Sequence, residues 1–196
     1  MSSPPPDQKL PGLIDHLYQL AAEEDRAAFA ALRRGLGKPP GAVAEMARHV
    51  VRYLPDHTAL DADFYLIASL FGLHPRPWDG PAESSSANLG ASLRRLAPIA
   101  TDAGAKGVER RFVALLNADR DDLPTHLRHA VALLASHDEP IEWALLLRHL
   151  RHWDHPERWV QRRWARSFWA ASRDPAETKA DAASGADPAD DPQTDT

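Results

Sequence analysis

Cysteine is missing from the 196-residue chain, which excludes a disulfide scaffold and any thiolate metal site and fits a reducing compartment. Long apolar runs are missing as well. Runs such as AVALLA and WALLL fall far short of the roughly 20 residues that a bilayer-spanning helix needs. The opening MSSPPPDQKLPG has neither a basic start nor an apolar stretch, so no signal peptide is expected. Runs of β-branched residues with period-two alternation do not occur, so no strand is required, and no repeat of fixed period is found. A Gly-rich phosphate loop, a Ser nucleophile elbow and a paired-carboxylate motif are also lacking. The chain therefore reads as a soluble cytoplasmic protein, long enough for one domain with a real core, with little catalytic chemistry and no membrane contact.

Charge is present but unevenly placed. The formal net charge of −5 hides a division at Asp174. Residues 174–196 hold seven acids and one lysine, leaving 22 basic and 21 acidic groups in residues 1–173. That tail, DPAETKADAASGADPADDPQTDT, has no aromatic and no large aliphatic residue, so a disordered acidic segment is expected. A disordered start over 1–12 and a helical domain over 13–173 complete the expected division. The acidic pI is thus no argument against a polyanionic partner.

Apolar spacing follows the helical period almost throughout. Leu13, Leu17 and Leu20 form one stripe, and Phe29, Leu32 and Leu36 the next. Val43, Met46, Val50 and Leu54 predict a third helix stopped by Pro55. Thr58 to Asp61 reads as a capping signal ahead of Phe64, Ile67, Leu70 and Phe71. HPRPWDGPAESSSA is a loop of Pro, Gly and Ser. Further helices are expected at about 88–97, 107–118, 124–136 and 140–153, and a last one from Asp154-His155-Pro156-Glu157 to about Ser172. The expected fold class is all-α, a compact bundle of about eight or nine short helices.

Residues 147–169, LRHLRHWDHPERWVQRRWARSFW, carry six arginines, three histidines and four tryptophans. On a helical wheel Val160, Trp164, Phe168 and Ala171 share a core stripe. Arg158, Arg162, Arg166 and Arg173 lie opposite, with Trp169 and Trp159 along the basic ridge and Trp153 expected in the core. A solvated amphipathic face and a polyanion-binding ridge both remain open here. The scarcity of acids favours the second, since Glu157 is the sole acid of that helix before Asp174. His149, His152 and His155 lack the i, i+4 pairing with a further ligand that metal-binding helices use, so no metal and no cofactor is expected. Arg120 and His126 are spaced like the Arg and His of the all-α HEPN ribonucleases. Pro124 between them makes ADRDDLP an interhelical turn, so this ribonuclease reading stands only as the alternative.

What remains is a scattered set of basic groups. Arg33-Arg34 ends a helix just before GLGKPPG, which carries Lys38. Arg94-Arg95 and Arg110-Arg111 lie on two further helices, and Arg128 on another. Several doublets on one small helical body suggest a nucleic-acid track.

Four stretches in order, ALRRGLGKPPG, NLGASLRRLA, ERRFVALLNADRDDLPTHLR and IEWALLLRHLRHWDHPERWVQRRWARSFW, resemble the CasB family, the small subunit of the type I-E CRISPR surveillance complex Cascade. The likeness covers about 13–170. It implies an all-α, non-enzymatic protein, present as two copies beside the backbone and large subunits, which binds crRNA and target DNA and stabilises the R-loop in antiviral defence. Carried over by position, Arg33, Arg34, Arg110, Arg111, Arg120 and Arg128 become nucleic-acid contacts. Lys38, Arg94, Arg95 and Arg162 join them as the remaining basic candidates. His129 stands where the family has a second basic residue. Trp169 is left to base stacking or to packing on a partner.

Overall fold

A computed structural model describes residues 6–55, 61–80, 87–96 and 102–169. Nine α-helices and no strand occur among them: α1 Pro6–Ala22, α2 Arg26–Arg34, α3 Ala44–Val50, α4 Asp61–Leu73, α5 Leu89–Leu96, α6 Asp102–Asn117, α7 Leu123–Ser136, α8 Trp143–Leu150 and α9 Trp159–Trp169. The all-α expectation holds. The backbone of α1 reaches back to Pro6, into the segment expected to be unstructured. The third helix ends earlier than the apolar spacing predicts: α3 gives way to a 3-10 turn at Val51–Tyr53, ahead of Pro55. The proposed cap at Thr58 and the acidic tail lie outside the described residues.

Local signals account for the starts of α2, α7 and α8. Asp25 caps α2 by accepting from the Ala28 amide at 2.9 Å, and the Glu142 carboxylate caps α8 through the Leu145 amide. Between α6 and α7 the Asp119 side chain accepts from the Asp121 and Asp122 amides at 3.2 and 3.0 Å. Pro124 then occupies the first turn of α7, where its missing N–H costs nothing.

One apolar core joins the helices, with Phe64, Phe71, Phe112, Trp143 and Trp164 buried in it. Each such side chain contributes about 1.5–3 kcal/mol by leaving water. The core tryptophans also satisfy their single donors. Trp143 donates to the Arg76 carbonyl, Trp153 to the Ala118 carbonyl and Trp164 to His149 Nδ1, at 3.0, 3.0 and 2.9 Å. Two glycines set the tightest helix crossings. A β-carbon at Gly72 of α4 would stand 2.7 Å from Leu32 Cβ of α2, and one at Gly90 of α5 would stand 2.3 Å from the Trp164 carbonyl of α9. Through these crossings the arginine doublets of α2 and α5 are held on the body.

The last helix corrects the sequence reading. Residues 151–157 form turns, and α9 starts at Trp159, five residues beyond the supposed Asp154 cap. Arg158 takes the left-handed conformation, φ 48°, and its carbonyl receives the first helical bond, from the Arg162 amide at 3.0 Å. The reason lies in tertiary contacts. The turn lets Trp153 drop into the core, and Arg158 donates its guanidinium to the Leu116 carbonyl in the last turn of α6. Likewise α8 stops at Leu150 rather than running to 153.

Candidate nucleic-acid interface

Arg33 and Arg34 occupy the last turn of α2, both exposed. Cations there are favoured by the carbonyl end of the helix dipole. Arg34 stands 3.8 Å from the Glu45 carboxylate, with both side chains more than half exposed, a pair of little energetic weight. Lys38 is exposed on the following loop.

That loop forms one wall of a cleft of about 690 Å³. Pro39 and Pro40 face Tyr65 and Leu66 of α4 and Pro124 of α7 across it, with Lys38 and Arg120 both on its lining. Lys38 and Arg120, far apart in sequence, are thus brought to one cleft. Arg120, however, is committed to the fold. Its guanidinium reaches Asp63 Oδ1 at 2.5 Å and the Leu150 carbonyl at 2.7 Å, and its Nε lies 3.8 Å from Asp154. Asp63 is buried, and burial pushes its carboxyl above the usual range, opposed by the hydrogen bond and charge of Arg120. Sequence reasoning missed Asp63, because an acid in the first turn of a helix carries no signal of its distant partner. His126 sits half-buried on α7, and Arg120 is turned to Asp63 and Leu150, so the ribonuclease pairing finds no support in this geometry.

The α5 doublet is similarly absorbed. Arg95 ion-pairs with Glu139 and donates to Ser92 Oγ at 3.1 Å, while Arg94 is half-buried. By contrast Arg110 and Arg111 of α6 and Arg128 of α7 are exposed and form no ion pair among the described residues. His129 is exposed beside Arg128. On α9, Arg162 and Arg166 are exposed, and Arg162 approaches Glu157 at 3.9 Å. Val160, Trp164 and Phe168 are buried, as the wheel requires. Ala171 and Arg173 lie outside the described residues.

The three histidines do not converge. His149 is buried, accepts from Trp164 and meets the Trp159 ring edge-on at 5.6 Å. Burial, with Arg163, Arg148 and His152 adding, lowers its pKa to about 4, so it is a neutral acceptor with its proton on Nε2. His152 packs on Trp159 instead, and His155 Nδ1 accepts from the Glu157 amide at 3.3 Å. Trp159 is therefore half-buried over histidines rather than aligned on the arginine ridge. No group of three or more metal-ligating side chains gathers among the described residues.

These elements and their basic helices have known counterparts. Residues 28–169 match the family model of the CRISPR-associated protein Cse2. The chain belongs to the Cse2 family. The Cse2 protein of Thermus thermophilus is 38% identical over 170 residues, 85% of this chain and 93% of the relative. A crystal structure of a Cse2-family protein from the same organism superposes with a TM-score of 0.68 at 35% identity, covering 83% of this chain and 98% of that one. The crystal structure of CasB from M. ruber does so at 0.60 and 30% identity, covering 81% and 89%. A chain of a solved CRISPR RNA-guided surveillance complex matches at 0.68 and 29% identity, covering 91% and 99%. The Cse2-matched region encloses every basic candidate named above, from Arg33 to Arg162. No helix among the described residues is long and apolar enough to cross a membrane.

Proposed function

We propose that this Cse2-family chain is the non-catalytic small subunit of a type I-E Cascade complex, working in the cytoplasm beside the backbone and large subunits and a second copy of itself. In this role it holds crRNA, target DNA and the displaced strand by their backbones and stabilises the R-loop. The observation that carries the reading is the set of exposed cations without ion pairs among the described residues of a chain of this family: Arg33, Arg110, Arg111 and Arg128 on helices and Lys38 on the loop after α2. An R-loop exchanges one duplex for another of similar stability, so a few phosphate contacts are enough to tip the balance. Arginines on rigid helices supply such contacts without reading sequence. Arg120 and Arg95, bound within the fold, serve mainly to position those helices.

The test is target-DNA binding by the assembled complex across a salt series. Replacing Arg110 and Arg111 by Ala is expected to leave the melting temperature unchanged and lower the salt slope by about one unit per lost phosphate contact. Wild-type binding at every salt concentration would remove these residues from the interface. Incubating the purified chain with RNA, with His126→Ala as control, checks the absence of nuclease activity. Cleavage abolished by that substitution would overturn the non-catalytic reading.

A further inference from the structure

Trp169 is the large aromatic side chain that the core leaves exposed, at 46% of its surface. An indole outside a core is normally free to turn, but this one is fixed. Its Nε1 donates to Glu109 Oε1 of α6 at 2.8 Å. Its ring leans on Phe112 at 5.4 Å and on Phe168 at 5.2 Å between centroids. Those two phenylalanines are themselves stacked at 4.2 Å and buried. The indole's one donor is thus taken and its orientation set, leaving its π surface to offer.

Beside the Glu109 carboxylate that holds the ring, the same two helices carry two cations. Arg110 follows Glu109 on α6, and Arg166 stands one turn before Trp169 on α9. Both are exposed, with no ion pair among the described residues. Exposed Val113, one turn beyond Glu109, extends the apolar strip. An anchored aromatic surface with an arginine within one turn on its own helix, and another next to its anchor on α6, suits an unpaired base with its neighbouring phosphates. Duplex DNA keeps its base faces stacked inside and offers no such match.

We propose that Trp169 is a stacking platform for one base of a single-stranded nucleic acid, with Arg110 and Arg166 receiving the flanking phosphates and Glu109 positioning the ring. The proposal rests on the nucleic-acid reading above and adds the preference for an unpaired strand.

The experiment uses the full chain and three probes of equal length: oligothymidylate, the same strand annealed to its complement, and a strand with abasic sites at its centre. Wild type is expected to bind the intact strand about ten-fold tighter than the abasic one. Trp169→Ala removes that difference without changing the salt slope, Trp169→Phe keeps part of it, and duplex binding is unaffected by either. Glu109→Gln, which weakens the anchor of the ring, reduces the difference while leaving the slope in place. Equal binding of intact and abasic strands by wild type overturns the platform, and that comparison stands even if Trp169→Ala fails to fold. So does a Trp169→Ala chain that keeps the preference for bases, or one that loses only co-elution with the other subunits. If the strands bind equally while Arg110→Ala lowers the salt slope, only the platform falls. Failure of the chain to bind any probe at low salt removes the backbone reading with it.

Discussion

At the residue scale, one buried histidine and one buried carboxylate decide what acid and mutation do to this protein. His149 accepts from Trp164 through the lone pair that protonation would consume. Its pKa is about 4 in the folded chain against the ordinary value of 6.5, so the unfolded chain takes up its proton first as pH falls. Stability from this group is therefore complete above about pH 6.5 and is lost down to about pH 4, a total of roughly 3 kcal/mol. Burial lowers His16 and His49 in the same direction. Urea unfolding between pH 7 and pH 4.5 is expected to show a flatter decline for His149→Gln than for wild type. Parallel declines would show that His149 takes no part. The second case is Arg120→Ala. It leaves Asp63 buried without its cation and is expected to cost about 3 kcal/mol, whereas Arg110→Ala and Arg111→Ala stay within about 0.5 kcal/mol. Chemical denaturation of the three variants separates a cation that holds the fold from cations on its surface. An unchanged midpoint for Arg120→Ala would return that residue to the interface.

At the element scale, the placement of α5 against α9 depends on the missing side chain of Gly90. A β-carbon 2.3 Å from the Trp164 carbonyl cannot be accommodated by a side-chain rotation, because the obstacle is backbone. Gly90→Ala is expected to cost about 2–3 kcal/mol and to lower Tm by roughly 6–10 °C. Gly107 in α6 provides the contrast, since a β-carbon there meets only the tip of Arg111 at 3.7 Å. Gly107→Ala is expected to hold or raise Tm through helix propensity. Equal losses for both variants would show that propensity, not the crossing, governs these helices. The start of α9 is an element-scale lesson of another kind. Asp154, Pro156 and Glu157 have the composition of a helix start, yet Arg158 takes the cap position because its side chain reaches the end of α6. A local signal lost to a contact between helices 42 residues apart.

At the scale of the whole molecule, charge is the property most open to experiment. Residues 174–196 carry a net −6, from seven acids and one lysine, and join the chain close behind the exposed arginines of α9. Deleting them after Arg173 is expected to tighten nonspecific DNA binding at low salt, with the gap closing as salt rises and screening shortens the reach of the charges. Titrations at two ionic strengths check this, and identical affinity at low salt would exclude competition by the tail. Thermal scans of the same truncated chain are expected to superimpose on wild type; a lower Tm would mean that the segment packs on the body.

Periodicity and composition alone determined the helical class, the core stripe of Val160, Trp164 and Phe168, the turn at ADRDDLP, and the basic character hidden behind an acidic pI. These depend on neighbours three or four residues apart, or on simple sums, and so are written locally. The fate of individual arginines was not. Arg33, Arg110, Arg111 and Arg128 remain exposed, while Arg95 meets Glu139, Arg120 meets Asp63 and Arg158 meets the Leu116 carbonyl. In sequence all are simply basic residues on or beside a helix. Which of them keep a free charge depends on partners 42–57 positions away, and only the packing of helices decides which partners arrive. Trp169 shows the same division. The wheel placed it on the outer face of its helix, but the clamp by Glu109, Phe112 and Phe168 that turns an exposed indole into a fixed surface exists only once α6 and α9 have met.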